Sequence, residues 1–389
     1  MTQTNAEQPS RGGVDDVLPR LDEVIADVVA PVAREIDRTG SFPRVSIDAL
    51  AKAGVLGAVS SVDLGGGAGG LPEVTEIVRR LAKACSSTAM VVLMHLSAAM
   101  VLEKYGQRGI RAAIAHGEHL TTLAFSETGS RSHFWAPGGT ARTSSPDAVR
   151  LDARKSWITS AGEADSYVWS TRPLAADGAM TLWSLPADTT GLGDAGAFDG
   201  LGLRGNASRP VTADGVVVRH DAMLGDDGAG LDIALSTVLP TFLTGSAAFS
   251  VGLAESLLED TAVHLTGTRL EHLDRSLAQD PLTRAQFADL TMLVGQAQAF
   301  LADTLTALTI GRADATVRLL QVKAVTAEAA SAVADGAMRL CGGAAFRKEA
   351  GIERKFRDAL AARVMAPTTA ALRDFVGRVT LGQPLFDEE

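Results

Sequence analysis

Cys341-Gly342-Gly343-Ala344-Ala345-Phe346 stands near the C-terminus, followed by Ile352-Glu353-Arg354-Lys355-Phe356-Arg357-Asp358-Ala359. Met365-Ala366-Pro367-Thr368 comes shortly after. A long helical pattern over residues 316–340 leads into the glycine pair, with Val317, Leu320, Ala324, Ala327 and Val333 at the spacing of one inner face. The end of the chain is therefore helical sequence interrupted by glycine and proline, with an Arg-Asp pair between the interruptions.

The chain has 389 residues, enough for two or three structural units. It is 46% hydrophobic and only 5% aromatic, and much of the apolar content is Ala, Leu and Val, a composition that favours packed helices. The formal net charge of −10 argues against a bulk attraction to nucleic acid or to an anionic membrane. Cys85 and Cys341 fit no metal-ligand spacing and read as buried thiols in a reducing cytosol; no metal is expected. Residues 1–13 are polar and carry no signal-peptide core, so they read as a disordered start of a cytoplasmic protein. The longest apolar stretch, residues 88–102, falls short of the ~20 residues that span a bilayer and reads as a buried helix.

Helical spacing recurs from residue 14 to about residue 54, with Val17, Leu21, Val24, Ile25, Val28 and Val29 in phase. Pro43 breaks it before a second helix at 45–53. The glycine-rich run 65–70 lacks the Lys-Ser/Thr ending of a phosphate loop and reads as a flexible connector. Helices resume over 72–116. From residue 120 the segments shorten and gain Thr, Val and Trp: 120–125, 148–151, 167–171, 180–185 and 215–218 read as strands of an antiparallel sheet. Long helical patterns return after Gly225. The expected plan is α+β: residues 1–13 disordered, an N-terminal helical domain at 14–119, a β domain at 120–224 and a C-terminal four-helix bundle domain at 225–389.

Two constellations carry chemistry. In Leu123-Ala124-Phe125-Ser126-Glu127-Thr128-Gly129-Ser130-Arg131-Ser132, amides and hydroxyls follow a strand into a Gly/Ser turn and suit the polar edge of a flat heterocycle. In Lys155-Ser156-Trp157-Ile158-Thr159-Ser160, strand alternation puts Trp157 and Thr159 on one face. An aromatic wall beside a hydroxyl is what a flavin ring needs. Taken alone, the first segment reads more readily as an ordinary β-turn and the second as a strand with a core tryptophan.

Together these segments resemble the acyl-CoA dehydrogenase superfamily. Its Thr-Glu-Pro-x-Ala-Gly-Ser and Lys-x-Trp-Ile-Thr-Asn patterns lie in the same order, about thirty residues apart as here, and the Gly342-Gly343 and Arg357-Asp358 elements follow. The resemblance implies FAD, with FMN as the alternative. It implies that Phe125, Ser126, Ser132, Trp157, Thr159, Gly342, Gly343 and Thr368 hold the cofactor, and that Arg269 reaches the pyrophosphate of a neighbouring subunit's flavin. A homotetramer or homodimer follows from that sharing. Glu127 and Asp165 fall in family patterns as structural residues, and Arg204 as a residue that fixes the loop before the strand at 211–218.

The departures bear on the reaction. The family's Phe-Gly after the arginine is replaced by Glu271-His272-Leu273-Asp274, and its adenine-holding glutamine falls near Asp280-Pro281. Where most dehydrogenases of the family have their proton-abstracting glutamate, this chain has Ala366. Some relatives carry the base on a helix that matches 239–243 here, where Phe242 stands and no carboxylate does. His95 and Ser126 match histidine and serine positions of flavin monooxygenases of this fold and are the catalytic candidates; His133 and Arg373 are further ones. The expected activity is flavin-dependent oxidation of an acyl thioester or small organic substrate, with electrons passed to an acceptor protein. The alternatives are a two-component monooxygenase served by a flavin reductase, and a non-catalytic flavin-binding protein.

Overall fold

A computed structural model describes residues 14–130, 133–194 and 196–386. The segment expected to be disordered, residues 1–13, lies outside them, as does Ser132. Helices α1 (Val14–Val24) and α2 (Ala30–Thr39) are joined by a π-helical turn at Ile25–Val29, so the first apolar repeat runs almost unbroken. Val17, Leu21, Val29, Ala33 and Ile36 bury along it. Pro43 stands just before α3 (Arg44–Lys52), the place where its fixed φ and missing N–H cost least. Then come α4 (Leu71–Ala84), α5 (Ser86–Tyr105) and α6 (Arg108–Ala115). The Glu73 carboxylate accepts from Gly70 N at 2.7 Å and caps α4.

Two sequence expectations change here. Helix α5 has 20 residues, long enough to cross a bilayer, as is the continuous run Gly230–Gly267; both are core helices because most of their length is buried in the fold, and length alone did not decide it. The glycine run 65–70 is no free connector. Gly67 N donates to Gly57 O at 3.0 Å and Gly69 N to Ala58 O at 2.8 Å. A Cβ on Gly66 would lie 2.3 Å from Ser60 O, so the glycines are there for close backbone packing.

Among the described residues, eight strands follow as two sheets. One has the order β1 (Thr121–Ala124), β4 (Ser166–Thr171), β5 (Thr181–Pro186), β8 (Met223–Leu224). The other has β2 (Thr140–Ser145), β3 (Ala148–Ile158), β7 (Arg209–Arg219), β6 (Leu192–Asp194). The expected all-antiparallel sheet is corrected at one pair: β1 and β4 run parallel. A parallel pair needs a long crossover, and the chain supplies it by building the β2–β3 hairpin of the other sheet between them.

The C-terminal part contains α7 (Gly230–Ile233), α8 (Leu239–Gly267), a small hairpin of β9 (Arg269–Leu270) and β10 (Arg275–Ser276), α9 (Pro281–Ile310), α10 (Ala315–Cys341), α11 (Ile352–Val364) and α12 (Thr369–Thr380). Leu320, Ala324, Ala327 and Val333 are buried on α10 as their spacing implies, and Val317 is half-buried. Helix α11 ties the three parts together. Arg357 donates to both carboxylate oxygens of Asp37 on α2, at 3.0 and 2.7 Å, and to Leu201 O at 2.9 Å. Asp358, buried, accepts from Leu203 N at 2.7 Å. Arg204 returns to α2 through Asp37 O at 2.9 Å, fixing the loop before β7 as expected.

Removing one partner of such a pair strands the other charge in a poorly hydrated place. Arg357→Met is expected to lower the unfolding free energy by about 3 kcal/mol, measured by urea denaturation; an unchanged midpoint and slope would show that α11 is docked by packing alone.

Candidate active site

The loop after β1 is pinned to β3 from below. The side chain of Lys155 is fully buried, and its ammonium donates to Glu127 Oε1 at 2.6 Å, Ser170 O at 2.7 Å and Ser170 Oγ at 2.9 Å. It also lies 5.2 Å from the Trp169 ring centroid. Burial pulls the Lys155 ammonium down to about 8, against the pull of Glu127 in the other direction. The second oxygen of the Glu127 carboxylate accepts from Gly138 N at 2.6 Å. Ser126 O takes Ser156 N at 3.0 Å. This network sets Phe125 and Ser126 against the start of the Trp157 turn. It confirms Glu127 as a structural residue.

Alternation along β3 holds through Lys155 and then fails. A bulge shifts the pairing with β7 between Lys155 and Ile158. Trp157 adopts φ +57° and is 71% exposed, while Thr159 is 5% exposed with Oγ1 at 3.2 Å from Ser208 Oγ. The two side chains are not placed on one face by strand alternation; the bulge turns Trp157 outward on its own. Left-handed backbone at a bulky residue is costly and persists only where its surroundings impose it. Ser160, Leu203 and Ala207 share this backbone state. These residues occupy two turns that bond each other, Ser160 N to Asn206 O at 2.9 Å and Ala161 N to Ala207 O at 3.2 Å. Strained turns of this kind cluster at functional sites, and no sequence signal marked the 203–207 turn as part of one.

Two further turns carry residues that the resemblance assigns to the site. Gly342 has φ +55°, and neither it nor Gly343 has an atom within 4 Å of an added Cβ. The turn between α11 and α12 presents Ala366 and Thr368, both half-buried, and Thr368 Oγ1 caps α12 by accepting from Ala371 N at 3.2 Å. Helix α12 meets the loop after β1 through an aromatic cluster: Trp135 lies 5.3 Å from Phe375 and 4.7 Å from Phe386, centroid to centroid.

The family models for the N-terminal and C-terminal domains of acyl-CoA dehydrogenases match residues 16–115 and 228–381. The chain belongs to the acyl-CoA dehydrogenase superfamily. The mitochondrial short-chain specific acyl-CoA dehydrogenase of Bos taurus is 25% identical over 355 residues, covering 88% of this chain and 84% of the relative. Among solved structures, butyryl-CoA dehydrogenase from Megasphaera elsdenii superposes with a TM-score of 0.87 at 22% identity, over 98% of this chain and 100% of that one. TdsC from Paenibacillus, solved with FMN and indole, gives 0.83 at 21% identity over 94% and 97% of the two chains. The fold is thus that of the acyl-CoA dehydrogenases, the enzymes of the superfamily are flavin oxidoreductases, and the acyl-CoA dehydrogenases bind FAD.

Of the residues the resemblance assigns to the flavin ring, several have the chemistry such a ring needs. The exposed Trp157 ring and the open backbone at Gly342 and Gly343 suit a flat ring approached closely, while the Thr159 hydroxyl is buried against Ser208. Arg269, which the resemblance assigns to the phosphate end, is paired with Asp274 of its own hairpin. His133 is exposed and packs edge-on against Trp135 at 4.8 Å, and Arg373 is exposed and bonded to Glu328 at 3.3 Å. Neither is joined to the turns around Trp157.

His95 is corrected outright. It is fully buried on α5, Nδ1 accepts from Thr121 N at 3.1 Å, and Nε2 must then donate to Leu56 O at 2.9 Å. Both nitrogens are committed to backbone, so the imidazole cannot serve a substrate or activate Ser126. Burial lowers its proton affinity to about 4 from 6.5. The unfolded chain therefore binds a proton that the fold refuses, and stability falls as pH drops from 6.5 towards 4. About 2 kcal/mol is lost by roughly pH 5. His95→Leu should abolish this acid-dependent part and cost about 2 kcal/mol at neutral pH, where Thr121 N–H and Leu56 C=O lose their partner; urea unfolding at both pH values checks it, and an acid dependence equal to wild type would contradict a neutral buried imidazole.

Proposed function

We propose that this protein is a flavin-dependent oxidoreductase acting on a small organic or acyl-thioester substrate without a carboxylate base, with monooxygenation as its reaction class. The carrying observation is where the carboxylates are. The resemblance puts Ala366 at the usual base position and Phe242, buried on α8, at the other, and neither is a carboxylate. Glu127 is held by Lys155 and two glycine amides, Asp165 by Leu120 N at 2.7 Å, and Asp358 by Leu203 N. Each of these carboxylates is engaged within the loops and turns of the fold rather than presented to a substrate.

Dehydrogenation across Cα–Cβ needs the α-proton removed as hydride leaves Cβ, and a placed base contributes roughly 10²–10⁴-fold to such a transfer. Oxygen insertion has no such requirement. One atom of O₂ enters the substrate and the other leaves as water, with two protons and two electrons drawn from reduced flavin supplied by a separate reductase. Bound flavin supplies the redox chemistry; this chain's residues supply placement. Trp157 gives the ring an apolar wall, Thr159 and Ser126 offer hydroxyls at its polar edge, and Ala366 keeps the reacting face apolar and without a competing base. Arg269 and Thr368 serve the phosphate and adenosine end when the cofactor is FAD, and sharing of Arg269 between subunits makes the working unit a homodimer or homotetramer.

The test supplies reduced flavin and oxygen to the purified protein with a panel of small nitrogen-, sulfur- and carbon-centred nucleophiles and acyl thioesters. A product heavier by one oxygen atom, labelled by ¹⁸O₂, is the expected result. Flavin reoxidation at the rate of free flavin, with peroxide as the only product across the panel, would contradict the reaction class.

A further inference from the structure

Lys323 on α10 is fully buried, and its ammonium lies 2.9 Å from each of three carbonyl oxygens, those of Ala362, Met365 and Pro367. These carbonyls frame the α11–α12 turn that carries Ala366 and leads into Thr368. An ammonium has three N–H donors and no acceptor, and each donor here has one oxygen. The end of a helix leaves its last carbonyls without intrahelical partners, and a cation there is favourable.

Among the described residues no carboxylate is paired with this charge. On α10 Glu328 pairs with Arg363 of α11 and Arg373 of α12. On α8 Glu255 pairs with Arg79 and Asp260 with Lys355; on α9 Asp303 pairs with Arg312; on α11 Glu353 pairs with Arg357; on α12 Asp374 pairs with Arg378. A buried, unpaired cation is expensive, and an apolar side chain of similar volume would fill the space with less cost. What an apolar side chain cannot do is draw three carbonyls inward.

We propose that Lys323 is the positioning residue of the active-site turn: by holding the carbonyls of Ala362, Met365 and Pro367 inward it fixes Ala366 and Thr368 towards the cofactor and substrate. This rests on the reading of Ala366 and Thr368 as site residues. Lys323 acts through the turn and touches neither ligand. Burial alone brings its ammonium down to about 7. Loss of the proton leaves two N–H donors for three carbonyls and turns a lone pair on the third. The turn is therefore tight below neutrality and looser above it.

Hydrogen exchange of the peptide spanning 362–370, corrected for intrinsic rates, is compared with a peptide from β7 at about pH 6 and about pH 8, on either side of the Lys323 transition near 7. Flavin affinity is measured by fluorescence quenching alongside. In wild type, protection of the turn should drop by about tenfold across that interval, the worth of about one hydrogen bond, with β7 unchanged. Lys323→Met should show the low protection at both pH values and bind flavin about tenfold more weakly. A turn that stays protected in Lys323→Met, or a pH step that survives the substitution, overturns the proposal. So does loss of protection without any change in flavin affinity, which leaves the flavin reading standing. A wild-type protein that binds no flavin overturns the functional reading and this role with it. The pH comparison needs no variant, so a Lys323→Met chain that fails to fold leaves a deciding arm in place.

Discussion

Helix α11 is where the three parts of the molecule meet, and the contact is polar. Arg357 spans from the bundle to Asp37 on the N-terminal helices, and Asp358 holds the Leu203 amide of the β part. Both side chains are well shielded from water, so they contribute most when every partner is in place. The Leu203 turn in turn faces the Ser160 turn, which continues from Trp157. The geometry of the candidate flavin wall is thus set from a helix far along the chain.

Two buried lysines repeat the logic at closer range. Lys155 pins the loop after β1 and Lys323 the turn after α11, each by saturating all three ammonium donors. They differ in charge balance. Lys155 has Glu127 beside it and keeps its proton to about 8; Lys323 has carbonyl dipoles alone and lets go near 7. A site built on irregular backbone needs such anchors, because loops carry no ladder of hydrogen bonds to specify one conformation. Polar networks that are fully satisfied supply that single conformation.

Much of this was legible in the sequence, and the failures have physical causes. The helix–sheet–helix plan followed from period alone, and Lys155, Trp157, Gly342-Gly343 and Arg357-Asp358 marked the frame. Period-2 reasoning broke at Trp157 because a bulge is a backbone event with no fixed side-chain signature. The parallel pairing of β1 with β4 depends on a crossover far longer than any local window. Glycines 65–70 were misjudged because close packing and flexibility ask for the same residue. His95 matched a catalytic position by alignment, yet its two bonds to backbone are visible only in three dimensions. Lys323 gave no signal at all: an isolated lysine in a helical run looks like a solvated one.

The proposed absence of a base at Ala366 is the central claim, and the carboxylates of the other family-like segments are engaged in hydrogen bonds of the fold. Anaerobic titration of the flavin-loaded protein with straight-chain and branched acyl-CoAs, followed at the flavin absorbance and run in parallel on wild type and Ala366→Glu, tests it most directly. The account predicts that wild-type flavin keeps its colour with every acyl-CoA and that the glutamate variant bleaches with at least one. Prompt bleaching of the wild-type flavin would contradict it, because a base would then be present that the structure places elsewhere.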